Sequence, residues 1–127
     1  MELTASAASA EVPLGQPVEV TITIKNISNR TCKRDIGADV QELYLLDVDG
    51  RTKIWSTDDC SPNRGTNLSS FSPGRQVSYT LTWNGRRSRT GTGAINCQAP
   101  APQPAVYQLV ARLGAKTSAP FALRLKA

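Results

Sequence analysis

The chain of 127 residues contains no histidine and only three cysteines. Without histidine it lacks the commonest general base, the commonest zinc ligand and the usual partner of a Ser or Cys nucleophile. Cys32, Cys60 and Cys97 form no C-x-x-C pair, so we expect no structural zinc site. We also find no nucleophile constellation and no cofactor motif, and therefore predict a noncatalytic protein without cofactor or metal.

Long apolar runs are missing as well. No stretch approaches the ~20 apolar residues of a membrane-spanning helix, and Met1 is followed by Glu2 rather than by the basic and apolar regions of a signal peptide. An exported protein trimmed of its leader and a small cytosolic protein would both begin this way. With 39% hydrophobic and 6% aromatic residues, the composition favours one soluble domain, residues 1–127, with a modest core.

Positive charge is in excess, with 15 Lys and Arg residues against 10 Asp and Glu and a net charge of +5. This balance favours an acidic partner, which could be nucleic acid, anionic lipid, a teichoic-type polymer or an acidic protein. The basic residues are spread along the chain and no aromatic stacking platform accompanies them, so we do not expect nucleic acid as a partner. A mildly basic, solvated surface is the simpler alternative.

Alternation of apolar and polar residues predicts strands along most of the chain. It is clearest in residues 18–26, where one face is entirely β-branched. Further strands are predicted at 40–48, 52–57, 76–83, 106–113 and 119–126, and residues 1–12 form either an edge strand or a tether. Short strands with turn signals every ~10 residues predict an all-β, Ig-like antiparallel sandwich of about seven strands, without substantial helix.

A hairpin over Leu43 to Cys60 organises this pattern. Asp49-Gly50 lies between two strand-like segments and favours a tight turn, because glycine tolerates positive φ. The turn aspartates, Asp47 and Asp49, raise the question of a calcium site. Most ligands of a calcium loop are absent, however, and carboxylates that accept hydrogen bonds from their own turn explain these residues better.

The cysteines predict one disulfide. Successive strands of an antiparallel sandwich reverse direction, so the loop with Cys32 and the end of the hairpin at Cys60 fall at the same end. We therefore predict a Cys32–Cys60 bridge, which would close a loop of about 29 residues and stabilise the fold by roughly 3–4 kcal/mol. Cys97 is left free or unassigned. Its loop of about 20 residues can span ~60 Å, so pairing with either other cysteine remains open.

The longest irregular stretch, residues 84–104, is our first choice for a contact surface. Arg86, Arg87 and Arg89 make it basic, and planar guanidinium groups grip phosphate or carboxylate through paired N–H donors. Long loops on a rigid scaffold often carry binding residues, although a solvated flexible loop is the alternative. Trp55 is the second candidate: it alternates with Ile54, so one of the two must face outward or be covered by a loop.

Four short patterns together resemble a known family. They are Lys25-Asn26 at the end of an alternating strand, Asp49-Gly50 with Ile54-Trp55-Ser56, Ser72-Pro73-Gly74 ahead of a strand that ends at Trp83, and Tyr107-Gln108-Leu109-Val110-Ala111. Over roughly residues 17–126 the set is similar to the Ig-like module of BsuPI-type proteinase-inhibitor domains, and to extracytoplasmic Ig-like domains of actinobacterial membrane-anchored envelope proteins. The resemblance implies a noncatalytic module outside the cytoplasm, anchored by an upstream segment.

Residues and resemblance together predict a binding or scaffolding domain of a bacterial cell-envelope protein. It would lie on the outer face of the cytoplasmic membrane and act through protein–protein or envelope-polymer contacts, touching the membrane only through its anchor. The alternative is a proteinase inhibitor, in which a loop enters the protease cleft. The added cysteines and the Arg- and Pro-rich loop depart from the inhibitor pattern.

Overall fold

The computed structural model describes residues 1–60, 64–89, 95–97 and 99–127, with Cys60 described through its backbone only. These residues form eleven strands and one helical turn: β1 (Glu2–Ala7), β2 (Glu11–Pro13), β3 (Val18–Lys25), β4 (Cys32–Asp35), β5 (Gln41–Leu46), β6 (Lys53–Ser56), α1 (Thr57–Cys60), β7 (Leu68–Phe71), β8 (Gln76–Trp83), β9 (Ala105–Leu113), β10 (Lys116–Thr117) and β11 (Phe121–Lys126). The predicted all-β sandwich without substantial helix is therefore confirmed.

The first sheet has the strand order β1-β3-β8, with antiparallel neighbours. Its central strand buries four β-branched residues: Val18, Val20, Ile22 and Ile24. Such side chains suit a pleated surface that is buried on one face. The other face carries hydroxyl groups, and Thr21 pairs with Thr80, and Thr23 with Ser78, through side-chain hydrogen bonds of 2.9 Å.

The second sheet has the order β2-β11-β9-β5-β6, and β10 pairs with the end of β9. All its pairs are antiparallel except β2 with β11, which run parallel. The interior strand β5 buries Leu43 and Leu45 on one face and Glu42 on the other. One contiguous cluster of buried side chains fills the space between the two sheets, and Trp83 and Tyr107 are its largest fully buried members.

A small third sheet pairs β4 with β7, two strands that the sequence reading assigned to polar loops. Neither strand is strongly apolar, so the alternation of apolar and polar residues did not predict them. The pairing depends on contacts made by neighbouring residues. The side-chain amide nitrogen of the buried Asn26 donates to the carbonyl oxygens of Arg30 and Phe71, at 2.7 and 2.8 Å. Gly37 packs so closely on the facing segment that an added Cβ would lie 2.4 Å from the Gly65 carbonyl oxygen.

Candidate functional site

A groove of about 490 Å³ opens between the edge of the first sheet and the strand β5 of the second. One wall is formed by Tyr79, Thr80 and Leu81 of β8, and the segments 36–38 and 64–67 border the opposite side. Leu43 and Ile22 lie at its apolar base. This volume is in the range of sites that bind small ligands or peptide side chains. No prediction had singled out these residues.

The polar end of the groove is built around a buried carboxylate, Glu42, which is 2% exposed. Its Oε1 accepts a 2.7 Å hydrogen bond from Arg112 Nε, and its Oε2 accepts hydrogen bonds from Lys53 Nζ at 2.9 Å and from the Ser56 hydroxyl. Arg112 also donates to Asp58 Oδ2 at 3.3 Å. A buried carboxylate with three donors is neutralised by its partners and holds strands β5, β6 and β9 together.

These contacts shift the pKa values of Glu42 and Asp58 in opposite directions. Burial alone raises the pKa of Glu42, but the hydrogen bonds from Ser56, Lys53 and Arg112 outweigh it, and the pKa lies below its usual value. The pKa of Asp58 is raised, first by burial and then by the negative charge of Glu42. Arg112 has a raised pKa because it donates to Glu42. Glu42 is therefore held ionised as a structural anion.

The sequence reading missed this network. Its one signal was the occurrence of opposite charges in two predicted strands, with Glu42 in β5 and Arg112 in β9. The two residues are direct neighbours in the antiparallel register, so the ion pair crosses adjacent strands. Strand order cannot be derived from periodicity alone, and without it the two charges could not be paired.

The described part of the Arg-rich stretch is hydrogen-bonded through its backbone to the rest of the domain. The amides of Ser88 and Arg89 both donate to the Ile54 carbonyl oxygen, at 2.9 and 3.3 Å. The amide of Arg87 donates to the Pro100 carbonyl oxygen at 3.1 Å. The first two bonds cover the outer edge of β6 at Ile54; residues 90–94 and 98 lie outside the described part of the chain.

Arg89 is therefore not available for a partner in the way the sequence suggested. Its Nε and Nη2 donate to the two carboxylate oxygens of Asp59, at 3.0 and 3.1 Å. The Asp59 side chain is only 2% exposed and also accepts a 2.6 Å hydrogen bond from the Ser88 hydroxyl. Donation to Asp59 raises the pKa of Arg89. Arg86 is exposed, and Arg87 and Arg89 are both half-buried, so Arg89 differs from the other two by its ion pair and not by its burial.

Trp55, the second candidate contact if it faced outward, is buried, as expected of a core residue. Trp55 is 8% exposed and packs on Trp83, with ring centroids 5.6 Å apart and planes inclined by 43°. Ile54 beside it is buried as well. Both neighbours can be buried because the β5–β6 pairing shifts register between Leu45 and Leu46, which leaves Ile54 without a direct partner and breaks the regular alternation; both side chains belong to the core cluster.

The predicted Cys32–Cys60 bridge is also wrong, because Cys32 is a free cysteine. Cys32 begins β4 opposite Phe71, and its thiol lies near the carbonyl oxygen of Arg30, at 3.7 Å. The pairing of β4 with β7 was not foreseen, and it fixes Cys32 beside Asn26. The Cys60 side chain lies outside the described residues. Cys97 is exposed and in the disulfide form, with its Sγ 4.0 Å from the Asp59 carbonyl oxygen.

The turn aspartates have the local role that the sequence favoured. Asp49 accepts hydrogen bonds from the amides of Arg51 and Thr52, at 2.8 and 3.1 Å, and these bonds lower its pKa. Asp47 accepts one from the Val48 amide at 2.7 Å. Within the described residues no three His, Cys, Asp or Glu side chains converge on a possible metal position.

Comparison with known proteins defines the class of fold. No protein-family model matches the chain, and no curated protein matches it. Among solved structures it is similar to a β-glucosidase from Erythrobacter marinus, with a TM-score of 0.54, 16% identity and 98% of this chain covered. It is similar to Spo0M, a sporulation control protein from Bacillus subtilis (TM-score 0.52, 14% identity, 99% covered). A third is the Pseudomonas fluorescens alkylpurine DNA glycosylase AlkC bound to DNA (0.51, 12%, 99%).

At these identities the similarity shows the fold and nothing of the activity. This chain spans 15% of the β-glucosidase chain, 31% of AlkC and 49% of Spo0M. In all three the matching β-sandwich is thus one part of a longer chain.

Proposed function

We propose that this domain is a noncatalytic binding or scaffolding module of a bacterial cell-envelope protein, acting outside the cytoplasmic membrane through contacts with another protein. The observation that carries the proposal is the groove of about 490 Å³ beside strand β8. It places an apolar wall, with Tyr79 39% exposed, next to the edge of a sheet. An open sheet edge beside an apolar groove is a recurrent arrangement for protein recognition.

The charged groups support a binding role over a chemical one. Glu42 and Asp59 are the buried carboxylates, and each is neutralised by an arginine within 3.0 Å. A general acid or base needs a carboxyl group that faces a substrate, with a pKa close to the working pH. These two groups instead tie strands and loops to one another. The occurrence of the same fold as one part of longer chains is consistent with a module.

The location rests on the resemblance to extracytoplasmic Ig-like domains. In the described part of the chain no helix is long and apolar enough to cross a bilayer. The test uses the full-length gene product in its own host, with an epitope tag after Ala127. We expect protease added to intact cells to remove the tag. A tag that is degraded only after the cells are lysed would contradict the proposed location.

A proteinase inhibitor is the second candidate, and one observation favours it. Val48 is 62% exposed at the tip of the β5–β6 turn, where Asp47 and Asp49 brace the backbone from both sides. A rigid loop that presents an apolar side chain can enter a protease cleft without a large ordering cost. Inhibition of a protease panel by the native domain, lost in Val48→Asp and kept in Val106→Asp, would favour this function. Equal inhibition by both variants, or none by the native domain, would exclude it.

A further inference from the structure

The backbone hydrogen bonds show which groups of β8 point away from its sheet. The Asn26 amide donates to the Arg75 carbonyl oxygen at 3.0 Å, and the Ala8 amide donates to the Glu19 carbonyl oxygen at 3.0 Å. In an antiparallel ladder, hydrogen-bonded and non-hydrogen-bonded pairs alternate along the strands. Continuing the alternation from both ends gives the same answer, in which every second residue of β8 bonds to β3. The remaining residues direct their N–H and C=O groups to the open side: Gln76, Ser78, Thr80 and Thr82.

This edge carries none of the features that usually protect one. The sequence from Gln76 to Trp83 contains no charged residue and no proline. Its pairing with β3 runs through eight residues without a register shift. In the described part of the chain no other strand pairs with β8. Natural proteins block exposed edges with lysine, proline, bulges or a covering segment, and β6 of the second sheet is covered in that way at Ile54 by Ser88 and Arg89.

The groove lies beside this open edge. Tyr79 and Leu81 contribute to its wall, and Ile22 and Leu43 to its base. A strand added to β8 would alternate its own side chains between the groove and the hydroxyl-rich outer face, since side chains alternate across a strand. It would therefore need apolar residues at every second position and small polar residues between them.

Arginines flank β8 in the chain, while across the ladder Lys25 lies opposite Gln76 and Glu19 lies opposite Thr82. Arg75 precedes the strand and Arg86 follows it by three residues, and both are exposed. The acidic lining residues are already engaged, because Glu42 binds Lys53 and Arg112, and Asp58 binds Arg112. A partner strand would thus be favoured by acidic residues at its ends and disfavoured by basic ones.

We infer that β8 is a strand-addition site for an extended segment of a partner protein, with apolar residues at alternate positions and acidic residues at its ends. The inference rests on the proposed binding function and gives it a partner chemistry. Pairing with Gln76, Ser78, Thr80 and Thr82 supplies main-chain hydrogen bonds, and the groove selects the side chains.

The test uses a nine-residue synthetic peptide that alternates valine and threonine between two terminal glutamates. We expect it to shift the amide NMR signals of Ser78, Thr80 and Thr82. Thr80→Pro should weaken binding at least tenfold, because it removes an outward N–H without breaking the ladder to β3. Thr80→Val is the matched control, since it loses the same Thr21 contact but keeps the N–H, and should bind as the native domain does. Equal binding to both variants, or shifts confined to the second sheet, would overturn the inference.

Two further measurements keep the inference testable if the proline variant unfolds. Tyr79→Glu places a negative charge on an exposed groove wall and should reduce binding of the acidic peptide at least tenfold. A peptide with terminal lysines should bind several-fold more weakly than the acidic one, and tighter binding would contradict the charge argument. A native domain that forms a stable dimer by light scattering, lost in Thr80→Pro, would assign the edge to a second copy and overturn the partner proposed here. If the peptide does not bind but added protease still removes the tag from intact cells, the strand-addition site is overturned while the proposed location stands.

Discussion

The guanidinium of Arg89 and the carboxylate of Asp59 form a two-point ion pair, with N···O distances of 3.0 and 3.1 Å. It joins the Arg-rich stretch to α1, the helical turn that follows β6. Because Asp59 also accepts the Ser88 hydroxyl, one carboxylate fixes two successive residues of the stretch. Ser88 and Arg89 of the stretch predicted to reach a partner are thereby tied to the rest of the domain, whereas Arg86 stays exposed.

Replacing Asp59 should therefore weaken the fold. We expect Asp59→Asn to lower the free energy of unfolding by about 2–3 kcal/mol, because it leaves Arg89 and Ser88 without their charged acceptor. Urea unfolding followed by tryptophan fluorescence measures the change. Asp47→Asn in the exposed turn is the control and should cost less than about 1 kcal/mol. Equal losses in the two variants would mean that the ion pair contributes little to holding the stretch.

Glu42 should make the free energy of unfolding depend on pH in the acid range. Its pKa is lowered in the folded protein, so its contribution is complete above the unfolded value of about 4.3 and is lost as the pH falls through the folded value. Asp58, with a raised pKa, acts in the opposite sense. Glu42→Gln should cost about 3 kcal/mol at pH 7 and less at pH 3, which flattens the acid limb of the stability curve. A variant curve parallel to the native one would contradict this assignment.

Trp55 should behave as a core residue. We expect Trp55→Ala to cost about 3–5 kcal/mol, the usual penalty for removing a large buried aromatic side chain. The near-ultraviolet circular dichroism should also change, because the tilted contact with Trp83 is lost. Val48→Ala at the exposed turn should change the free energy of unfolding by less than about 0.5 kcal/mol. If the Trp55→Ala domain were as stable as this control, the assignment of Trp55 to the core would be contradicted.

We expect the three cysteines to form one disulfide and leave one free thiol. Because Cys32 is free and Cys97 is in the disulfide form beside Asp59, we predict that Cys97 pairs with Cys60. Peptide mapping without reductant should find that pair and an alkylated Cys32. Cys97→Ser should lower the free energy of unfolding by about 4 kcal/mol, the chain-entropy value for a loop of roughly 38 residues.

Cys32→Ser is the matched control for the bridge and should cost less than about 1 kcal/mol. Recovery of a Cys32–Cys60 peptide would contradict the pairing and would support the original sequence-based expectation. So would an equal loss of stability in the two serine variants.

The sequence predicted the large strands well, and for an identifiable reason. In β3, strict alternation matched one buried and one solvated face, and the predicted span 18–26 differs from Val18–Lys25 by one residue. β8 was placed equally well. In contrast, β4 and β7 were missed because they are short and polar, and they are stabilised by each other and by the distant amide of Asn26.

The site was harder to predict because it depends on which strands are neighbours. Trp55 alternates with Ile54 in the sequence, and periodicity cannot reveal the register shift in the β5–β6 pairing that lets both be buried. Arg89 and Asp59 are 30 residues apart and meet where the amides of Ser88 and Arg89 bond to the Ile54 carbonyl oxygen. The open edge of β8 follows from strand order as well, since the same eight residues in the middle of a sheet would present no free backbone groups.

Native-state hydrogen exchange along β8 measures directly whether this edge is open, and it needs no partner. The amides of Ser78, Thr80 and Thr82 should exchange fast, while those of Val77, Tyr79 and Leu81, which bond to β3, should be protected at least a hundredfold more. The residues of β3 should be protected throughout. Equal protection of all six β8 amides would show that the edge is covered, and would contradict the account of this domain as an open-edged binding module.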